Sequence, residues 1–181
     1  TQRSTLFPYT TLFRSIHRFG AVPKPSDPQP DNDIDTSPID RRFAEYRSRA
    51  VTAAALDQDG EDTAVPALLN AALTAWIVEH GDDQSYKCDP PPGSHVVLHA
   101  RLRQTIDSAT DDERHWAFRA VGATNAVAAQ NRIKKAYSAT GLGSGSDRRR
   151  LFLLRNDAWP SGPKTQSLLD DVKAAGGRTL A

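Results

Sequence analysis

Seven basic side chains crowd into residues 131–155: Arg132, Lys134, Lys135, Arg148, Arg149, Arg150 and Arg155, opposed there by Asp147 alone. The whole chain has a formal net charge of only +1. A local excess of cations on a nearly neutral chain is suited to phosphate, so nucleic acid or an acidic partner is the chemistry to expect of this edge. No aromatic residue falls within either basic run, 132–135 or 148–150, so stacking on single-stranded bases is not the expected mode. The plain alternative is a solvated basic edge.

A second candidate follows the apolar run Leu151-Phe-Leu-Leu154. The next stretch, Arg155-Asn-Asp-Ala-Trp-Pro-Ser-Gly-Pro-Lys-Thr165, reads as a loop that leads from a strand into a helix. Helix N-terminal amides at such a junction can face an anion. The residues to supply further contacts are Arg155, Asn156, Asp157, Ser161, Gly162, Lys164 and Thr165. A nucleotide P-loop is excluded by spacing, because Asp157 stands where its first glycine is needed and Pro163 separates Gly162 from Lys164. The competing reading is structural: Ser161 as N-cap, Pro163 in the first turn and Trp159 covering the strand end. In an open α/β sheet ligands sit at the carboxyl ends of strands. Topology alone therefore puts Arg155, Asn156 and Asp157 first among these residues. Asp157, Asp170 and Asp171 form no evident catalytic pair, and the sequence names no catalytic residue.

Three other features read as structure. Gly141-Leu-Gly-Ser-Gly-Ser146 follows a helix and precedes a strand, the reverse of a dinucleotide loop, and is expected to be a flexible connection. Asp57, Asp59 and Glu61 alternate as calcium ligands do, but Leu68 stands where a twelfth-position glutamate is required. That turn reads as a solvated loop. Cys88 has only His80, His95 and His99 in its neighbourhood, without the paired cysteines of a zinc site. It reads as an ordinary thiol among surface histidines. No metal and no cofactor are expected.

These candidates have to be positioned by elements, and the spacing predicts mostly helices. Ser37 and Pro38 open a helix that carries Ile39, Phe43 and Tyr46 on one face and ends near Leu56. Val65, Leu68, Leu69, Ala72, Leu73, Trp76 and Ile77 mark a helix from about Ala64 to His80, stopped by Gly81. Residues 81–94 read as a loop broken by Pro90-Pro91-Pro92-Gly93. Leu98, Leu102 and Ile106 place a helix over Ser94–Ser108, although Val96-Val97-Leu98 would also suit a strand. Thr110 and Glu113 have capping-box spacing and open a long helix from about Asp111 to Thr140, with Gly141 as its stop. Gly122 within it marks a close crossing or a bend. A strand over Arg150–Arg155, a helix over about Pro163–Ala175 and a strand opening at Arg178 make a β-α-β unit with parallel strands. Two short strands do not make a stable sheet, so further strands are expected beyond Ala181.

The fold class expected is mostly α with a C-terminal β-α-β unit: a helical module over 37–141, then a truncated α/β domain over 148–181. Residues 16–36, rich in proline and aspartate, read as a disordered linker. Residues 5–15, Thr-Leu-Phe-Pro-Tyr-Thr-Thr-Leu-Phe-Arg-Ser, resemble the in-frame translation of a sequencing adapter. Residues 1–15 are therefore set aside as non-native, and the reading frame is expected to belong to a longer one. Hydrophobic residues make up 38% of the chain, which implies a modest core. A single cysteine cannot form an internal disulfide, and no apolar run approaches the roughly 20 residues of a membrane span. A cytoplasmic protein that makes no use of a membrane is expected.

Residues 149–180, from Arg149-Arg-Leu-Phe-Leu-Leu-Arg-Asn-Asp through Ala-Trp-Pro-Ser-Gly-Pro-Lys-Thr to Gly-Gly-Arg-Thr-Leu, resemble the C-terminal part of large multidomain bacterial ATP-binding proteins of the phage-resistance type. The resemblance covers about 30 residues, contains no catalytic motif, and transfers no site residue. It implies that the partners include the rest of a larger polypeptide. Two functions follow from the sequence. One is a non-catalytic interaction module that contacts nucleic acid or an acidic partner through the 132–155 edge. The other is part of an enzyme with a phosphate-type ligand at the carboxyl end of strand 150–155.

Overall fold

The computed structural model describes residues 35–50, 53–80, 85–89 and 96–180. The expectations for residues 1–15, most of 16–36, Gly81, and Pro90 to Gly93 lie outside them. The chain divides between Arg49 and Ala50 into two units.

The first unit contributes helix α1 (Ser37–Arg49). Its cap lies before the expected Ser37. The Asp35 carboxylate accepts from the Ser37 amide at 3.0 Å, and the Thr36 hydroxyl bonds the Asp40 carboxylate at 3.0 Å. No residue of α1 is buried, and Ile39, Phe43 and Tyr46 stay exposed. The helix also stops at Arg49, short of the expected Leu56; Ala53–Leu56 forms a separate 3-10 turn.

The second unit is built on a sheet. Helix α2 (Ala64–His80) is followed by strands β1 (Tyr86–Asp89), β2 (Ala100–Asp107) and β3 (Asp112–Ala120). Helix α3 (Ala126–Thr140), strand β4 (Arg149–Leu154), helix α4 (Pro163–Ala174) and strand β5 (Arg178–Leu180) complete it. The strands lie in the order β1-β2-β3-β4-β5. The first two pairings are antiparallel, and β3–β4 and β4–β5 are parallel. This is a mixed α/β fold, and the mostly α expectation is corrected. β4 pairs with β5 in parallel, as the β-α-β unit requires, and on its other side with β3, so the sheet also takes in strands upstream. The sheet also runs through the boundary expected between 141 and 148.

Register sorts the side chains into two faces. Trp116 and Phe118 pair with Leu102 and Ala100 on one side and with Arg150 and Phe152 on the other. These residues line the face that α2 covers. Phe118 stacks on Phe152 at 5.2 Å between ring centroids, and Trp76 of α2 meets Tyr86 edge-on at 5.1 Å. The opposite face carries Ala117, Leu151 and Leu153, which pack with Ala129, Ile133 and Ala136 of α3 and Leu169 and Val172 of α4. Helices on both faces make three layers.

Two helix expectations fail on this sheet. Ser94–Ser108 contains β2, and the first third of the expected Asp111–Thr140 helix is β3. Trp116, Phe118 and Ala120 alternate with His115, Ala117 and Arg119, a period of two, and both sets are covered where helices lie above and below. The Thr110–Glu113 capping box spans the end of the β2–β3 turn and the first residues of β3. Asp111 occupies it at φ 52°, a left-handed conformation that aspartate tolerates better than most residues. The expected 81–94 loop contains β1, which pairs Cys88 with Leu102. Gly141 ends α3 at φ 62°, the stop expected of it, and the connection that follows contains a 3-10 turn, Leu142–Ser144, with Leu142 buried. At α4 the N-cap is Gly162 rather than Ser161, with Pro163 in the first turn.

Gly122, just past β3, does mark a close crossing, with the backbone of residues 56–58. A Cβ there would stand 2.5 Å from the Leu56 carbonyl oxygen and 2.7 Å from the Gln58 nitrogen. Both neighbours are backbone and cannot swing aside. Gly122→Ala is therefore expected to lower the urea midpoint by the equivalent of about 1–3 kcal/mol without changing the slope of the transition. An unchanged midpoint would contradict the close approach.

Candidate functional site

At the carboxyl end of β3 a charged network is buried. Glu61, in the turn that precedes α2, is fully buried. Its Oε1 accepts from Arg132 Nε at 2.6 Å and from Arg119 Nη2 at 3.2 Å. Its Oε2 accepts from the Gly122 amide. Three donors on one carboxylate provide the compensation that a buried charge requires. Arg119 is itself 2% exposed, and its Nη1 donates at 2.7 Å to the Val96 carbonyl and to Asp62 Oδ1.

His99 completes the network. Its Nδ1 accepts from the Ala120 amide at 3.1 Å, and its Nε2 lies 2.9 Å from Asp62 Oδ1 and 2.7 Å from Arg119 Nη1. Burial pushes the imidazole pKa down. The Asp62 bond raises it and the Arg119 charge lowers it again, to about 4. For Asp62, burial acts to raise the pKa. The His99 bond and the Arg119 charge outweigh it and hold the carboxyl below its ordinary value. Both ring nitrogens of His99 are engaged, so it has no lone pair with which to take a substrate proton. The arrangement locks structure and binds charge; it is not an acid–base pair.

The expectations of a solvated loop at Glu61 and of a surface position for His99 are both corrected by burial. Asp57 and Asp59, by contrast, are exposed as expected. A signal for the network is present in Phe118-Arg119-Ala120-Val121, where one charge interrupts an apolar run.

The candidates at the end of β4 are placed differently. Arg155 is 3% exposed. It donates to the carbonyls of Val121 at 2.6 Å, Ala123 at 3.0 Å and Ala158 at 3.0 Å, and its guanidinium lies over the Trp159 ring at 5.3 Å. Arg155 thus clamps two loops together. Thr165 is buried and its hydroxyl accepts from Gln130 at 2.9 Å. Asn156, Asp157, Ser161, Gly162 and Lys164 are exposed.

The basic edge divides between two clefts. Arg132 and Lys135 line an open cleft of about 400 Å³ beside the buried network, together with Asn131, Asp62 and Arg119. Arg149 and Arg150, at the start of β4, meet Arg101 and His115 around a smaller cleft of about 70 Å³ at the other end of the strands. Arg148 is held by Asp112 at 2.9 Å, and Lys134 is exposed. Burial lowers the His115 pKa, Glu113 opposes this, and the surrounding arginines lower it further.

Among the described residues, no group of three or more His, Cys, Asp or Glu is arranged to hold a metal ion. No helix there is long and apolar enough to cross a membrane. Cys88 is half-buried on β1, and burial with the neighbouring Asp89 raises its thiol pKa, which keeps it protonated and unreactive. Compared with known protein families, curated proteins and solved structures, the chain matches none.

Two outcomes are expected. Glu61→Gln leaves Arg132 without its counter-charge and Arg119 with Asp62 alone, and should cost about 3–5 kcal/mol in denaturant unfolding. His99 has a folded-state pKa below its ordinary 6.5, so the unfolded chain binds a proton that the native one refuses. Stability is then full above pH 6.5 and falls as pH drops towards 4, by roughly 3 kcal/mol at the lower end. His99→Gln should flatten the curve between pH 6.5 and 5, where Asp62 does not titrate; a curve of undiminished slope would contradict the assignment.

Proposed function

We propose that residues 50–180 form a non-catalytic interaction module of a larger bacterial protein, one that grips the phosphate backbone of nucleic acid by the cleft at the amino ends of β3 and β4. The observation that carries this reading is the composition of that cleft. Arg101, Arg149, Arg150 and His115 line it with Ala117 and Thr140, and no carboxylate does. Among the described residues, no acid lies within ion-pair distance of Arg101 or Arg149.

A blander use of these arginines is to cap α3. Arg149 Nη1 donates to the Thr140 carbonyl at 3.0 Å, and Arg101 Nη2 reaches the Ala139 carbonyl at 3.5 Å. Magnitude decides between the two. A helix C-terminus offers about half a negative charge, and Arg101 and Arg149 bring two full positive ones. Most of their charge is left for an external anion. The adjoining Arg103 differs in this respect, since Asp89 at 3.3 Å and Glu113 at 2.8 Å neutralise it.

The other reading, an enzyme with a phosphate-type ligand at the carboxyl end of strand 150–155, gains no support from that loop, because Arg155 is spent on three backbone carbonyls.

Fluorescence anisotropy with a labelled 20-base-pair duplex tests the proposal. Affinity is expected to fall steeply with salt. Arg101→Ala/Arg149→Ala is expected to reduce the log–log slope by nearly 2, at about 0.9 for each phosphate no longer neutralised. A slope unchanged in the double variant rejects the cleft as the binding surface. Equal binding of poly-glutamate would reassign it to an acidic protein.

A further inference from the structure

The larger cleft has its own chemistry, independent of the nucleic-acid reading. It lies beside the buried Glu61 network, between the middle of α3 and the segment that leads into β2, and is open to solvent. Its volume of about 400 Å³ is within the range of small-molecule sites, roughly 300–1,000 Å³.

Arg132 is the central group. Glu61 holds it by Nε, which fixes the plane of the guanidinium. The two terminal nitrogens bond nothing among the described residues, and a quarter of the side chain is exposed (26%). A guanidinium tethered by Nε has its end-on fork left over, two parallel donors spaced for the oxygens of an oxyanion. Lys135 lies three residues on from Arg132 and four on from Asn131, so it neighbours both on the surface of α3, and all three line the cleft. Asn131 and Lys135 are both exposed, and neither has a partner among the described residues. Fork, ammonium and amide approach from different positions along the helix. That suits a tetrahedral phosphate with three terminal oxygens better than a planar carboxylate, which the fork alone would satisfy.

Charge counts in the same direction. Arg119, Arg132 and Lys135 face Glu61 and Asp62, and His99 is neutral at pH 7, so one positive charge is uncompensated. Asp62 adds a second specificity. Its Oδ1 takes the bonds from His99 and Arg119, and its Oδ2 is left on a carboxylate 47% exposed at the cleft edge. An acceptor there fits a ligand hydroxyl and repels a second phosphate. Val96, Val97 and Ala128 supply an apolar wall.

We infer that this cleft binds a small phosphate monoester with a hydroxylated body, of the sugar-phosphate class, with Arg132, Lys135 and Asn131 on the phosphate and Asp62 on a hydroxyl. Isothermal titration of the 181-residue chain with ribose 5-phosphate tests it, with inorganic phosphate, ribose and gluconate as comparisons. Ribose 5-phosphate is expected to bind more tightly than inorganic phosphate, and ribose and gluconate to bind at least tenfold more weakly. Lys135→Gln, at an exposed position that should not disturb folding, is expected to weaken ribose 5-phosphate about tenfold by loss of one charge-assisted bond. Asn131→Ala is expected to weaken it by a smaller factor. Arg101→Ala, at the other cleft, should leave it unchanged. No binding of ribose 5-phosphate at 10 mM, equal binding of gluconate, or an affinity indifferent to Lys135→Gln would each overturn the inference.

Discussion

The buried carboxylate of Glu61 is the constraint on which the second unit depends. It receives a donor from the strand (Arg119), one from the following helix (Arg132) and one from the chain between them (Gly122). The turn that carries Glu61 is thereby fixed to a strand, a connection and a helix that lie far along the chain from it, at the end of β3. Removing both ions of a buried pair in favour of apolar groups is often neutral for stability, whereas removing one is costly. The network is therefore better understood as fixing position than as adding stability. It sets how closely the 56–61 turn approaches β3, and the absent side chain of Gly122 is what that approach demands.

That pattern explains what could be read from the sequence. Helix α2, the stop of α3 at Gly141, strand β4, helix α4 and the opening of β5 were legible because each is marked locally, by an apolar stripe, a capping glycine or a proline in a first turn. The β2–β3 hairpin was not. Its residues Thr110 to Glu113 satisfy a capping box equally well. Alanines through 117–129 support a helix by propensity, which tertiary pairing overrides in the first part of the run. Only the alternation of Trp116, Phe118 and Ala120 favoured a strand, and it competes with three- and four-residue spacings among the same side chains. A strand buried on both faces loses the polar alternation that would have settled the matter.

The candidate site was legible in residue type and not in grouping. Seven cations between 131 and 155 look like one surface when counted along the chain. In space α3 and the sheet separate them. Arg132 and Lys135 face one cleft, Arg149 and Arg150 another, and Arg155 is sealed into a loop clamp. The residues that complete each cleft come from elsewhere: Arg101 and His115 from β2 and β3, and Asp62 and Arg119 from the α2 turn and β3. A window of sequence cannot contain such a set, because the sheet brings together residues 40 or more positions apart.

Placement of charge also separates what the two clefts can hold. At the amino ends of the strands Arg101 and Arg149 meet backbone carbonyls, whose partial charges leave most of their positive potential in place. A long polyanion, which gains by adding contacts along its length, suits that kind of surface. At the carboxyl end of β3 most of the positive charge is matched by Glu61 and Asp62, and one unit is left over. A site with so small an excess, orienting groups held by buried bonds and an acidic edge gains little from a polyanion. It is matched instead to one anionic group on a compact body. Charge therefore differs along the one basic run: Glu61 takes up Arg132 at one end, while at the other Asp112 holds Arg148 and Arg101 and Arg149 meet backbone carbonyls.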